Sequence, residues 1–233
     1  MLCLSMETST KTCSVALVDD NKTLGEIRIN SEHTHSQKLM PAVDMLLKSV
    51  EKKLDDVELI GVAVGPGSFT GLRIGISTAK GLAYGRKIPV VGISTLEGLA
   101  LSTNNHEATV VPILNARRNQ VYTAIFKYNI SSYARLLEDS IIKLDELIGK
   151  LNELEGEFIF TGDGVPVFSE QITMALGDRA KFISQYNCIP SAVSIGQIAL
   201  EQYKLKGGDD PFTLKPEYLR LSEAERNILK GCS

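Results

Sequence analysis

The sequence predicts an α/β protein of two similar lobes, each built around a mixed sheet. Three observations lead there. An order of three strand-like runs, a helix, a strand, a glycine-rich turn and a second helix occurs twice. A polar stretch at 103–107 separates the two occurrences. The 233 residues, 43% of them apolar, suffice for one large domain or two small ones, at about 100–200 residues each, with enough chain to bury a real core.

Residues 2–8, 13–19 and 23–30 read as strands, and the polar punctuation at 9–12 and 19–22 makes them two hairpins. Leu39, Met40, Val43, Leu46, Leu47 and Val50 recur at the period of a helix face, so 36–53 is a helix. Pro41 lies either in its first turn or at a kink. The apolar run 59–64 is a buried-type strand, Gly65-Pro66-Gly67 a turn, and Ser68 the N-cap of a helix to about 84. A strand at 89–93 precedes a helix from Ser94 to about 102. The second round runs through strands at 109–114, 120–128 and 134–142, a helix at 145–154 and a strand at 158–161. Gly162-Asp163-Gly164 then turns into a helix at 165–176, and 191–204 is a last amphipathic helix. The expected lobes are 1–104 and 105–233. The tail from Gly207, with Pro211 and Pro216, is read as an extended return across the molecule.

Composition excludes several classes of function. Lys plus Arg is 25 against 28 Asp plus Glu, a net charge of −3, and no basic run reaches five residues. Duplex affinity comes largely from neutralised phosphates, so a stand-alone nucleic-acid binder is not expected. The start, MLCLSMETST, has no basic region and no long apolar stretch, unlike a signal peptide. No apolar run approaches the ~20 residues of a membrane span. Cys3, Cys13, Cys188 and Cys232 form no C-x-x-C pair and are read as reduced thiols of a cytoplasmic protein.

Four constellations could bear chemistry. The first is Gly65-Pro66-Gly67-Ser68-Phe69-Thr70-Gly71-Leu72-Arg73. Backbone N–H groups exposed before a helix favour an anion, but the run satisfies neither G-x-x-x-x-G-K-[ST] nor G-x-G-x-x-G, and a tight strand-to-helix turn explains it as well. In the helix that follows, Gly71, Gly75, Ala79 and Ala83 form one small-residue stripe, and Ser77, Gly81 and Gly85 a second. Helical glycine costs up to ~1 kcal/mol, which close approach of a neighbour would offset. That neighbour is either the lobe's own sheet or a partner chain. The second constellation is the hairpin turn Glu7-Thr8-Ser9-Thr10-Lys11-Thr12. It could hold the phosphates or metal of a nucleotide, or satisfy only its own backbone. Gly162, Asp163 and Gly164 are a further candidate nucleotide contact. Finally, His33 and His35 are either a metal pair or part of a solvated loop. His106 stands apart, and no base–nucleophile pair is evident.

Several segments together resemble the TsaB (YeaZ-like) family: Glu7-Thr8-Ser9, Cys13 to Leu17, GPGSFTGLRIG at 65–75, AKGLA at 79–83 and PVVGISTLEGLA at 89–100. Asn115-Ala116-Arg117-Arg118 with Val121-Tyr122, and Pro216 to Arg220, also fit. The resemblance implies the actin-like ATPase fold and a cytoplasmic accessory protein of tRNA threonylcarbamoyladenosine synthesis. It implies pairing with a catalytic paralogue, TsaD, help from the ATPase TsaE, and contact with tRNA only through the complex. The paralogue binds its metal through H-x-E-x-H. Here Thr95 and Leu99 stand at the two histidine positions, so no metal and no catalysis are expected of this chain. Carried over, the pairing surface lies on the helices at 36–53 and 68–85, with Met40, Val43, Leu47, Arg73, Gly75, Ile76 and Lys80 as candidates. The same surface could make a homodimer. A nucleotide set of Glu7, Thr8, Thr10, Gly162, Asp163 and Gly164 is a weaker expectation. Members of the fold that hydrolyse ATP have Asp and Gly where Glu7 and Ser9 stand, so ATP or ADP is expected only in the complex. The family often has Asp in place of Asn115. The alternatives are an autonomous small-molecule kinase or ATPase of this fold and, more remotely, a metallopeptidase.

Overall fold

In the structure, a computed structural model, residues 1–31, 34–103, 108–129, 132–184 and 188–220 are described. His33, His106 and Cys232 fall outside them. The chain opens with strands β1 (Cys3–Glu7), β2 (Cys13–Val18) and β3 (Thr23–Ile29), then helix α1 (His35–Ser49). Strand β4 (Leu59–Gly65) leads to α2 (Phe69–Arg86), and β5 (Val90–Ser94) to α3 (Thr95–Leu101). The second round comprises β6 (Thr109–Asn115), β7 (Gln120–Asn129), β8 (Ser132–Lys143), α4 (Leu144–Asn152), β9 (Phe158–Thr161), α5 (Val165–Leu176), β10 (Ala180–Phe182) and α6 (Ala192–Lys206).

The two rounds build the same sheet. In the first the order is β3-β2-β1-β4-β5, and in the second β8-β7-β6-β9-β10. Hairpin neighbours pair antiparallel, and strands joined through a helix pair parallel, in both. Strands β1, β2 and β4 are buried along their whole length, which is why they read as continuous apolar runs rather than alternating ones.

Alternate residues of the first sheet feed two cores. Leu4, Met6, Val15, Leu17, Ile60 and Val62 meet Leu39, Val43, Leu46, Leu72, Ile76 and Ala79 of α1 and α2. On the other face, Cys3, Ala16, Val18, Leu59 and Val91 meet Ala192, Ile195, Ile198 and Ala199 of α6. In the second lobe α4 and α5 cover one face, while Leu96, Leu99 and Ala100 of α3 cover the other with Val110, Leu114 and Phe126. The last helix of each round thus packs on the sheet of the other.

This corrects the expected second lobe of 105–233. The second sheet starts at Thr109, but α6 belongs to the first lobe's core, so the return across the molecule begins at about 192 rather than at Gly207. Helix α1 stops at Ser49 instead of 53. The Lys52 N–H donates to the Leu47 carbonyl, and Glu51 takes the left-handed conformation (φ 53°), an αL termination without glycine. Pro41 lies inside α1 on its exposed side, where water can serve the carbonyl whose hydrogen bond it removes. Strand β10, too short to show in the sequence pattern, adds an edge beside β9.

Candidate functional site

The two lobes face each other across a cleft of about 720 Å³. Its first wall is the β1–β2 turn, clamped against the start of α2. The Ser68 N–H donates to the Ser9 carbonyl (2.6 Å), and the Thr8 hydroxyl donates to the Gly71 carbonyl (2.8 Å). A Cβ on Gly67, Gly71 or Gly75 would run into Ser9 or Thr8 well inside van der Waals contact. Three glycines of the motif are therefore explained by close approach of the chain's own first hairpin. The stripe Gly71, Gly75, Ala79 and Ala83 is buried in its own lobe, whereas nothing lies within 4 Å of a Cβ on Gly81 or Gly85.

Under this turn sits Glu7, 1% exposed. Its Oε1 accepts from the Ser9 N–H (2.5 Å), and its Oε2 is buried without a partner. Burial pushes its pKa up to about 7. His35, at the start of α1, donates from Nε2 to the Thr10 carbonyl (2.8 Å), with Nδ1 buried and unpartnered. Burial lowers its pKa, against the raising effect of the bond to Thr10. It is thus a support of the turn, not part of a solvated loop.

The second wall is the β6–β7 turn. Arg117, Arg118 and Asn119 are all left-handed (φ 63°, 55° and 57°), a run that side chains rarely adopt. It is held by the Arg117 N–H donating to Asn115 Oδ1 (2.9 Å) and the Gln120 N–H to the Arg117 carbonyl (3.1 Å). Asn115 thereby gains a role as the turn's side-chain acceptor. Arg117 lines the cleft, and Asp163 beside it accepts from the Asn115 N–H (2.9 Å). The third wall is the tail, Glu217 to Arg220.

Of the expected nucleotide set, Thr10 and Asp163 reach opposite walls of the cleft. Glu7 and Thr8 do not: both are buried, and the Thr8 hydroxyl is spent on Gly71. Gly162 and Gly164 are buried against the Ile113 carbonyl. Of the expected pairing residues, Met40 and Arg73 are exposed. Val43, Leu47, Gly75 and Ile76 are not on the surface, because the same apolar period that marks a helix face is claimed by the lobe's own sheet. Lys80 is half-buried, its ammonium donating to the carbonyls of Phe212 (3.3 Å) and Leu214 (3.0 Å).

Thr95 and Leu99 are fully buried where α3 lies between the lobes. Among the described residues no group of three or more His, Cys, Asp or Glu side chains is placed to hold a metal. Glu97, between them, instead anchors a cluster that sequence reasoning missed. Its carboxylate accepts from the Tyr133 hydroxyl and from Arg135 Nη2 (2.9 Å). Arg135 also pairs with Asp139, which accepts from the Ser94 hydroxyl, and the guanidinium lies 4.7 Å from the Phe126 ring centre. Burial raises the Asp139 pKa, and burial together with the Glu97 bond raises that of Tyr133. The cluster latches α3 of one lobe to β8 of the other. The only signal for it in the sequence is a Tyr and an Arg two apart on one strand face.

The profile of the family described as "TsaD: tRNA N6-adenosine threonylcarbamoyltransferase" matches residues 22–228. A Bacillus subtilis protein named tRNA threonylcarbamoyladenosine biosynthesis protein TsaB is 34% identical over 99% of both chains. A Pseudomonas aeruginosa structure, described as an uncharacterized protein similar to peptidase YeaZ, superposes with a TM-score of 0.81 at 24% identity, covering 94% of this chain and 99% of that one. The ROK hexokinase of Thermus thermophilus reaches 0.51 at 11% identity, covering 88% of this chain and all of that one, a likeness of fold alone. With the duplicated sheets described above, these findings give the chain the actin-like ATPase fold and make it a member of the TsaB family.

Proposed function

We propose that this chain is a non-catalytic subunit that supports threonylcarbamoyl transfer by pairing with the transferase TsaD and recruiting the ATPase TsaE. Family membership places it in tRNA threonylcarbamoyladenosine biosynthesis. One observation bears most of the weight for the accessory role. Thr95 and Leu99, aligned by motif with the paralogue's two histidines, are 0% exposed and packed in the core between the lobes. Neither side chain offers a metal an imidazole-like donor. The chain has no cofactor of its own in this reading, and ATP or ADP enters with the complex.

Pairing uses the outer surface of α1 and α2. Met40, Ile74 and Ser77 line a shallow groove there with Arg73. tRNA is reached through the complex, in the cytoplasm; no described helix is long and apolar enough to cross a membrane. Self-pairing through the same face is the outcome when the transferase is absent. The kinase or ATPase alternative needs nucleotide between the lobes at Glu7, Thr8 and Gly162 to Gly164, and all of these but Asp163 are buried in the protein.

The test is a nucleoside digest of tRNA from cells depleted of this chain and complemented with variants. Wild type restores the modified base. Met40→Asp with Ser77→Arg, both on exposed positions, abolishes co-purification with the transferase and lowers modification. Normal modification by a variant that no longer pairs would refute the reading, as would threonylcarbamoyl transfer by the purified chain alone.

A further inference from the structure

We infer that residues 209–220 form a strap that ties the two lobes at a set angle and fills the mouth of the cleft between them. The strap begins beside β5, where the Asp209 N–H donates to the Val90 carbonyl (2.7 Å) and Asp209 Oδ2 accepts from the Gly92 N–H (2.8 Å). It then runs along α2, held by Lys80 at two carbonyls, with Leu214 packed against the first lobe's core. At the cleft the Glu217 N–H donates to the Val64 carbonyl (2.8 Å), extending the end of β4 by one bond. The Tyr218 ring stacks on Phe69 at 4.7 Å, and its hydroxyl accepts from Arg73 Nε (2.8 Å). Every anchor so far belongs to the first lobe. Arg220 makes the crossing: its Nη1 donates to the Ala116 carbonyl (2.6 Å), on the second wall.

The first lobe is built to receive this segment. A Cβ on Gly65 would stand 2.8 Å from the Glu217 carbonyl oxygen, and one on Gly92 would stand 2.8 Å from a Leu214 methyl. Glycine in a strand marks close backbone approach; at Gly65 the approaching atom belongs to the strap's backbone, whereas at Gly92 a Val64 methyl of the neighbouring strand (2.6 Å) comes closer still than the strap's Leu214. The mouth that a ligand would enter is accordingly lined by the chain's own Glu217, Tyr218 and Arg220.

The strap is also easily released. Phe212 is 74% exposed and Tyr218 39%, and beyond Leu214 the strap is held by the Glu217 amide bond, the Tyr218 ring and hydroxyl, and the interlobe bond of Arg220. Segments with few buried contacts open at a small fraction of the global unfolding free energy. Release would free the cleft and the Arg73 guanidinium together. The inference does not rest on the docking reading, because both ends of the strap are on this chain.

The experiment is amide hydrogen exchange on the full chain, paired with an interlobe distance measurement. Spin labels go on Lys48→Cys of α1 and Met174→Cys of α5, both exposed, in a Cys232→Ser background; Cys3, Cys13 and Cys188 are buried. In the otherwise unaltered chain the Glu217 amide is protected and the distance distribution is narrow. In Tyr218→Ala with Arg220→Ala, Glu217 loses protection by about tenfold or more, Asp209 keeps its own, and the distribution broadens. Arg220→Ala alone broadens the distribution while leaving Glu217 protected. Free exchange at Glu217 in the unaltered chain would overturn the inference. So would an unchanged distance distribution in the double variant.

Discussion

Arg135→Ala removes the one cation between two buried carboxylates. The side chains of Glu97 and Asp139 are 9% and 11% exposed, and that of Arg135 is 20% exposed. Breaking a buried pair by deleting one partner costs about 3–5 kcal/mol, because the remaining charge stays buried and unpaired. Partial access of water to Arg135 puts the cost at the low end, about 3 kcal/mol. For a chain of this length that is a fall in Tm of about 6–12 °C. Urea unfolding at pH 8, followed by a secondary- and a tertiary-structure probe together, reads the loss and shows whether the lobes still unfold as one. Burial already raises the Asp139 pKa, so its carboxylate takes up a proton readily once the guanidinium is gone, and the penalty shrinks on acidification toward pH 5. Arg135→Met with Glu97→Gln and Asp139→Asn removes all three charges, and the stability should return to within about 1 kcal/mol of the original. A loss below about 1 kcal/mol for Arg135→Ala, the range of an exposed pair, would refute the latch.

The pKa of Glu7 is raised to about 7 by burial, so the folded state holds its proton more tightly than the unfolded chain. Stability from this group is therefore greatest below the unfolded carboxyl value of ~4.3 and falls as pH rises toward 7. Glu7→Gln should flatten that slope and stabilise the protein at pH 8 by at most about 4 kcal/mol, measured by urea midpoints across pH; an unchanged slope counts against the burial argument. Gly71→Val places side-chain atoms on the Thr8 carbonyl and should cost more than about 3 kcal/mol by overpacking, whereas Gly81→Ala, open on all sides, should gain up to about 1 kcal/mol; thermal denaturation of the two decides. Asn115→Ala removes the acceptor of the Arg117 N–H and should cost about 1 kcal/mol, while Asn115→Asp, which keeps an acceptor, should cost less. Normal stability of the Ala variant would show that the left-handed run holds itself.

Much of the fold was legible in the sequence. The order of elements showed because strand and helix periods differ and because Gly and Ser mark the turns at Gly65–Ser68 and Gly162–Gly164. Strand β10 and the end of α1 at Ser49 did not show, since three residues have no period and Glu51 lacks the glycine signature of an αL stop. The pairing residues were legible only as a helix face. Periodicity finds the apolar side of a helix, and for Val43, Leu47 and Ile76 that side is already taken by the sheet beneath; the exposed side, with Met40 and Arg73, has no pattern of its own.

The sequence alone determined the duplicated α/β order and the family motif, with Thr95 and Leu99 on either side of Glu97, because these are properties of residue type and spacing. Tertiary structure decided which neighbour the glycines of α2 accommodate, that α6 belongs to the first lobe, and that Glu97, Arg135 and Asp139 meet. It also decided that the tail's Glu217 to Arg220 line the cleft. Each of these joins residues far apart along the chain, and such contacts leave no periodic trace in one sequence: they follow from how two sheets and a returning tail fill the same space.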